Sequence, residues 1–385
     1  MEDIFQITII LFFSMLATLL SKRLKIPEVV GQMLIGIILA PSVLGLINGG
    51  HTIEIMSEIG VILLMFLAGI ESDLEVLRKN LKPSILVALS GVIIPIIVFG
   101  SVALYSGRTL STSFFYGIVF AATSVSITVK VLQEYGYLST KAGNIILGAA
   151  VVDDILAILI LSVFKSFKNG GGNLIVQFSM EILFFIFLIF VHKFIPKVWK
   201  FINKLPIYAK NTSAALIICL ALSLLADKVG MSAVIGSFFA GIAISQTEVS
   251  ELIEKYVSAI GYVVFIPIFF VSIAISINFD VLVEHPFIVI LFTLLAILTK
   301  FVPAYYSGKA CNLEKNESLL IGTGMVSRGE MSLIVAQIGL SGAIINEDIY
   351  SELVIVIILT TLIAPFLIKM VIKKDNTKKG SIAKF

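Results

Sequence analysis

The sequence predicts an all-α polytopic membrane protein. Hydrophobic residues make up 58% of the 385-residue chain and charged residues only 14%, whereas about a quarter of the residues in a soluble domain are charged. Apolar stretches of about 18 residues or more recur along the whole chain, and each could cross ~30 Å of hydrocarbon as a helix. The alternating segments of about 10 residues that are typical of a membrane β-barrel do not occur.

Thirteen apolar segments, separated by short loops, are expected to span the membrane. The first follows an acidic N-terminus that has no basic n-region and no cleavage site, so we expect a retained helix and not a signal peptide. The predicted spans are residues 4–20, 27–46, 55–71, 83–105, 112–134, 142–165, 173–195, 207–227, 231–245, 256–276, 286–308, 317–340 and 348–371.

Basic residues predict the orientation of these spans. About 22 of the 28 lysines and arginines lie in odd-numbered loops, and about four lie in even-numbered loops. Because cytoplasmic loops are enriched in lysine and arginine, the N-terminus is expected outside and the C-terminus in the cytoplasm of a plasma-membrane protein. The formal charge of +3 therefore reflects topology, and no nucleic-acid partner is expected.

Ionisable residues are also expected at membrane depth. They are Asp153, Asp154, Lys300, Arg328 and Glu330. Each charge at the bilayer centre costs roughly 2.5–3.5 kcal/mol on insertion scales, so intramembrane charges usually mark ion pathways or pair with one another.

Two of the predicted helices contain sequences that disfavour a continuous helix. The fifth contains "VFAATSVSITVKVL", in which hydroxyl and β-branched side chains compete with helical hydrogen bonding. The twelfth contains "LLIGTGMVSRGEMSLIV", with three glycines among polar residues. Small residues for close helix packing are the alternative explanation. Unwound backbone at this depth persists only where it is buried in protein or lines a cavity.

The positions of these two segments favour a transporter. If the chain is divided into six helices, a linker helix and six more, each interrupted segment is the fifth of its half. An odd linker places the halves in opposite orientations, and paired interrupted helices in inverted repeats indicate a transporter's binding site.

Helix geometry separates the roles of the two aspartates. Neighbouring helical residues project about 100° apart, so Asp153 and Asp154 cannot face the same neighbour. Lys300 is the candidate partner for one of them, and Glu330 is the nearer candidate for Arg328. One carboxylate is then left without a fixed counter-ion. Desolvation favours its protonated form, while oxygen ligands suit a hard cation, so a proton and a cation would compete for it.

The motifs together resemble a known family. "FAATSVSITVKVLQEYG", "GAAVVDDILAILIL", Lys300 and "GMVSRGEMSLIVA" are similar to those of monovalent cation:proton antiporters of the second cation:proton antiporter family, nearest to the NapA-type and GerN-type Na⁺/H⁺ antiporters. The likeness covers essentially the whole chain. It implies an NhaA-like fold with two crossing broken helices, and a homodimer in which a core domain slides against a dimerisation domain in an elevator-type movement.

The resemblance also implies how the chain is divided and which residues act. Asp154 would bind the ion or proton, Asp153 would pair with Lys300, and Thr123 and Ser124 would lie near the ion. Arg328 and Glu330 would be structural or gating residues. The expected domains are 1–82 (dimerisation), 83–168 (core, with the ion site), 169–206 (linker), 207–284 (dimerisation), 285–372 (core) and 373–385 (cytoplasmic tail).

The function expected on these grounds is exchange of Na⁺, Li⁺ or K⁺ for protons, without an added cofactor. The Asp-Asp pair with a lysine is typical of electrogenic family members. A K⁺/H⁺ antiporter of the same fold, a sodium-coupled symporter and a channel are the alternatives. An intramembrane aspartyl protease would need two facing aspartates and a Gly-x-Gly-Asp motif, which the sequence lacks, so no enzyme is expected.

Overall fold

Helices account for every regular element of the described chain. The computed structural model describes residues 2–24, 26–72, 75, 79–169, 174–275, 286–341 and 344–382, and no strand occurs within them. The all-helical prediction is confirmed. The helices are α1 (Glu2–Leu24), α2 (Glu28–Leu39), α3 (His51–Ile70), α4 (Leu81–Tyr105), α5 (Leu110–Ala121), α6 (Val125–Glu134), α7 (Lys141–Asn169), α8 (Leu174–Ile202), α9 (Lys210–Lys228), α10 (Ala233–Ser245), α11 (Ser250–Ile260), a π-helical turn (Gly261–Phe265), α12 (Ile266–Ile275), α13 (Pro286–Ala310), α14 (Lys315–Gly324), α15 (Glu330–Ser341) and α16 (Glu347–Ile382).

Nine stretches of the described chain are long and apolar enough to cross a membrane. They include the first broken helix taken as one unit, Leu110–Glu134, which is the most buried of the nine. Among the other predicted spans, α2 and α10 are shorter apolar helices. The count of thirteen spans therefore stays a prediction.

The chain forms two compact units. One contains residues 1–11, 49–77 and 158–269, and the other contains residues 12–48, 78–157 and 270–385. In the second unit α13 packs on α4, α14 and α16, and α2 packs on α6 and α16. The predicted dimerisation and core domains are defined by how they move relative to each other. They therefore stay predictions.

Two helices are longer than expected. The seventh span was predicted to end at residue 195, but α8 continues through Pro196 to Ile202. Its buried residues Ile195, Trp199 and Ile202 recur at helical spacing, so the packed face continues beyond the proline. Likewise, α16 continues into the predicted tail and ends at Ile382.

Both predicted interruptions are present. The chain leaves helical geometry after Ala121 and becomes helical again at Val125; it does the same between Gly324 and Glu330. Ala122 and Ser124 have extended backbone, as expected where β-branched and hydroxyl residues meet. The second unit thus contains four half-helices, α5, α6, α14 and α15.

Candidate functional site

The two interrupted segments cross and are joined by hydrogen bonds. Ser124 N donates to Ser327 O over 2.9 Å, and Ser327 Oγ donates back to Ser124 O over 2.6 Å. Thr128 Oγ1 donates to Gly324 O over 2.7 Å, and Ser332 Oγ donates to Ala122 O over 3.2 Å. Backbone groups released by the breaks are thereby satisfied inside the protein, as buried polar groups require.

A close approach of the two segments explains one of the glycines. A Cβ at Gly329 would lie 2.7 Å from Ser124 Oγ and 2.8 Å from Ser124 Cβ. Only a residue without a side chain fits at this distance, so the glycine is needed for the crossing itself.

A buried ion pair lies beside the crossing. Lys300 Nζ, on α13, is 2.6 Å from Asp153 Oδ2, on α7, and both side chains have zero exposure. Thr123, in the first interruption, donates a hydrogen bond to the same carboxylate oxygen. Gly91 on α4 leaves room for the ammonium group, because a Cβ there would lie 3.3 Å from Lys300 Nζ.

The second oxygen of this carboxylate has a different environment. Asp153 Oδ1 is buried and has no hydrogen-bond partner among the described residues. A carboxylate has about four acceptor positions, so Lys300 and Thr123 leave part of its capacity unused within the described part of the site.

Arg328 caps a half-helix from the opposite segment. Its Nε donates to Phe120 O over 3.1 Å and its Nη1 donates to Val326 O over 3.2 Å. Phe120 O lies in the last turn of α5, where carbonyls lack helical partners and the helix dipole favours a positive charge. The hydroxyl of Thr361, on α16, donates to Arg328 O. Arg328 is fully buried, so these contacts fix the crossing from inside.

The predicted site residues divide into three groups. Asp153, Lys300 and Thr123 are in direct contact, and Ser124 lies at the crossing between the two segments. Arg328 also lies at the crossing, bonded to carbonyls that sequence patterns do not reveal. Asp154 belongs to helix α7 and Glu330 is the first residue of α15, but their side chains lie outside the described residues.

Two buried carboxylates were not singled out in the sequence, Glu181 on α8 and Glu352. Glu352, on α16, is 7% exposed, and Tyr116 Oη, on α5, lies 3.4 Å from its Oε2. Glu352 follows the acidic pair Glu347 and Asp348 at the start of α16 and lies inside the predicted span 348–371, but it was not singled out there. Its spacing from Ile349 (i−3) and Val356 (i+4), both apolar and buried, was the available signal that it faces the bundle.

Comparison with known proteins places the whole chain in one group. Residues 9–374 match the family described as "Sodium/hydrogen exchanger, transmembrane". The chain is 43% identical to a Na⁺/H⁺ antiporter of Enterococcus hirae, over 97% of this chain and 99% of that protein. It is 39% identical to the Na⁺/H⁺-K⁺ antiporter GerN of Bacillus cereus, over 99% of each.

A solved structure is similar in fold. The sodium proton antiporter MjNhaP1 from Methanocaldococcus jannaschii at pH 8 superposes with a TM-score of 0.68, covering 97% of this chain and 99% of that one. At 16% sequence identity this likeness concerns the fold, and it agrees with the antiporter architecture expected from the sequence.

Proposed function

Because the chain belongs to the transmembrane sodium/hydrogen exchanger family, we propose that it exchanges a monovalent cation for protons across the membrane. Members of this family are transporters, so the expectation that the chain is not an enzyme is confirmed. Na⁺ is the proposed cation, since both relatives named above are Na⁺/H⁺ antiporters. K⁺ is the second candidate, favoured by the printed name of the Bacillus cereus relative.

The observation that carries the proposal is a charged pair beside crossing broken helices. Asp153 and Lys300 are in contact without exposure, next to segments whose backbone is unwound. Such a site offers oxygen ligands for a cation. It also offers, in Lys300, a positively charged partner for one carboxylate, so that the other carboxylate is left to bind protons and metal ions.

Asp154 is proposed as the residue that binds the cation or proton. Helix α7 is continuous through both aspartates, and successive helical residues project about 100° apart. Asp153 is already paired with Lys300, which favours Asp154 as the carboxylate that binds the proton and the cation in turn. A carboxylate cannot hold a proton and a cation well together, so each displaces the other.

The surrounding residues are assigned supporting roles. Thr123 orients the Asp153 carboxylate, and the unused Oδ1 of Asp153 could add a ligand to the cation, with Ser124 nearby. Arg328 and Glu330 are proposed to hold the crossing or to gate it. The contacts of Arg328 with carbonyls of both segments support a structural role for this residue.

The proposed transport cycle is the one that the family resemblance implies. We propose that a core containing the crossing carries the ion in an elevator-type movement against a dimerisation domain, within a homodimer. We propose that exchange is electrogenic, with more than one proton per cation, because an Asp-Asp pair with a lysine is typical of electrogenic family members. Asp154 alone can exchange only one proton for one cation, so the second proton would be released by Lys300 when the cation binds. The plasma membrane is the proposed location, with the N-terminus outside, on the evidence of the loop lysines.

Everted vesicles from cells that express the chain provide the test. A pH gradient is imposed and its dissipation is followed on addition of Na⁺, Li⁺ or K⁺, at several pH values, with and without a membrane potential. Dissipation by Na⁺ at a rate that depends on the potential is expected. Dissipation no faster than in vesicles without the protein would refute exchange, and a rate independent of potential would refute electrogenicity. Cation flux that ignores the pH gradient would indicate a channel.

A further inference from the structure

The last part of α8 carries a row of lysines on its outward face. Lys193, Lys197 and Lys200 are exposed, and at 100° per residue they fall within a sector about 60° wide. Lys204 follows in the first turn after the helix. We call these four residues the lysine row. No aspartate or glutamate occurs between residues 182 and 210, so the row is strongly positive.

The opposite face of α8 is the packed one. Phe184, Leu188, Ile195, Trp199 and Ile202 are buried, and helical geometry places them about 180° to 240° from Lys193. α8 packs on α10 and, more weakly, on α9. The lysine row therefore points away from the protein that α8 packs against.

On the N-terminal side of the lysine row, the same face of α8 is apolar. Ile182, Ile186, Ile189 and Phe190 are 45–67% exposed and lie within about 60° of the direction of Lys193. Of the nine candidate spans in the described chain, the one in α8 is the least buried, at 22% of its most apolar window. From its N-terminal to its C-terminal part, one face of α8 thus carries exposed apolar side chains and then lysines.

This order matches the order of groups in a phospholipid. Acyl chains would lie along Ile182–Phe190, and a negatively charged phosphate would meet the lysines at the membrane surface. Lys193 to Lys200 cover about 10 Å along the axis, similar to the headgroup region, which is about 5–8 Å thick on each side. Long lysine stems reach toward phosphate from such positions.

Neighbouring residues support an interfacial position. Phe194 and Phe201 are 50% and 66% exposed, so their rings add exposed apolar surface beside the lysines. Lys197 Nζ lies 5.2 Å from the centre of the Phe194 ring. Lys210 Nζ donates to Asn203 O over 2.6 Å and to Leu205 O over 3.1 Å, which closes the turn that contains Lys204.

We infer that the lysine row of α8, with the exposed apolar face below it, is a binding site for an anionic phospholipid of the adjoining leaflet. A second copy of this chain is a poorer occupant, because a symmetric contact through this face would bring lysines against lysines. The attraction per lysine corresponds to about a fivefold gain in affinity near an anionic surface. The inference concerns lipid binding and stands independently of the proposed ion exchange.

The test compares lipid retention by the full chain purified in a neutral detergent. Native mass spectrometry counts bound dioleoyl phosphatidylglycerol and, separately, dioleoyl phosphatidylcholine, which has the same acyl chains but no net charge. The native protein is expected to retain phosphatidylglycerol at least tenfold better, and this preference should fall as NaCl is raised. Inorganic phosphate at the same concentration should not compete, since it lacks acyl chains. Competition by phosphate would show a plain anion site and overturn the inference.

Two matched variants locate the site. K193Q/K197Q/K200Q/K204Q should weaken phosphatidylglycerol retention by about six hundredfold, which is fivefold for each of the four lysines. K82Q/K141Q/K309Q/K315Q removes four other exposed lysines and should change it by less than threefold. The inference would be overturned if both variants lost phosphatidylglycerol equally, or if the native protein retained the two lipids equally. It would also be overturned if the substitutions changed the oligomeric state and no lipid preference were seen. The salt titration needs only the native protein, so it decides even if a variant fails to fold.

Discussion

Lys300 Nζ lies 2.6 Å from Asp153 Oδ2, and neither side chain is exposed. A buried ion pair contributes little relative to apolar residues of the same volume, but removal of one partner leaves an uncompensated charge and costs about 3–5 kcal/mol. The pair therefore makes the stability of the second unit depend on both residues.

Lys300→Ala is expected to lower the unfolding temperature of the purified protein strongly, because the Asp153 carboxylate remains buried without its cation. The measurement is thermal unfolding in detergent. Asp153→Asn/Lys300→Met removes both charges and should recover most of the loss. An unchanged unfolding temperature in Lys300→Ala would show that the pair has no structural role. In vesicles the same variant should lose the dependence of exchange on membrane potential.

Arg328→Lys is expected to destabilise the protein by about 2 kcal/mol. The charge is kept, but an ammonium cannot reproduce the fork that donates to Phe120 O and Val326 O. Arg108→Lys, at an exposed position, is the matched control and should stay within about 0.5 kcal/mol of the native protein. Chemical unfolding measures both, and equal stabilities for the two variants would speak against a cap on α5.

Gly329→Ala is expected to cost about 1–3 kcal/mol and to slow exchange, because the new Cβ would lie 2.7 Å from Ser124 Oγ. Gly100→Ala, on α4, is the control: its Cβ would meet nothing closer than Ser113 O at 3.5 Å, and alanine favours a helix. Unfolding and vesicle exchange are compared for both. If Gly329→Ala were as stable and active as Gly100→Ala, the crossing would not be tightly packed.

Tyr116→Phe is expected to destabilise the protein by about 1 kcal/mol, since Glu352 would lose a hydrogen-bond donor. Tyr306→Phe, at a side chain that is 64% exposed, should have no measurable effect. Thermal unfolding distinguishes the two substitutions. Similar values for both would mean that the buried carboxylate does not depend on Tyr116.

The membrane fold was predictable because hydropathy and helix-breaking residues act locally. Three glycines and a run of hydroxyl residues were enough to predict both interruptions, since they weaken helices wherever they occur. The end of α8 was not predictable, because lysines and Pro196 indicate a loop while the buried face of Ile195, Trp199 and Ile202 depends on tertiary packing.

The site was predictable where charge had to be compensated. A lysine in an apolar span requires an anion, and few anions were available, so the sequence indicated that Lys300 pairs with Asp153 or Asp154. The family resemblance favoured Asp153. Contacts to carbonyl groups were not predictable: Nε and Nη1 of Arg328 donate to Phe120 O and Val326 O. The expected contact of Arg328 with Glu330 lies outside the described residues and stays a prediction. Backbone acceptors carry no residue identity, so sequence patterns cannot indicate them.

The most direct test of the account is Na⁺-driven dissipation of a pH gradient in everted vesicles that contain Asp154→Asn. Asparagine keeps the size of the side chain but cannot exchange a proton. Expression and thermal unfolding like those of the native chain establish that the variant folds, and Asp153→Asn in parallel vesicles serves as the neighbouring control. The account predicts no Na⁺-dependent dissipation by Asp154→Asn at any pH. Exchange at the native rate by this variant would contradict the assignment of Asp154 as the residue for which proton and cation compete.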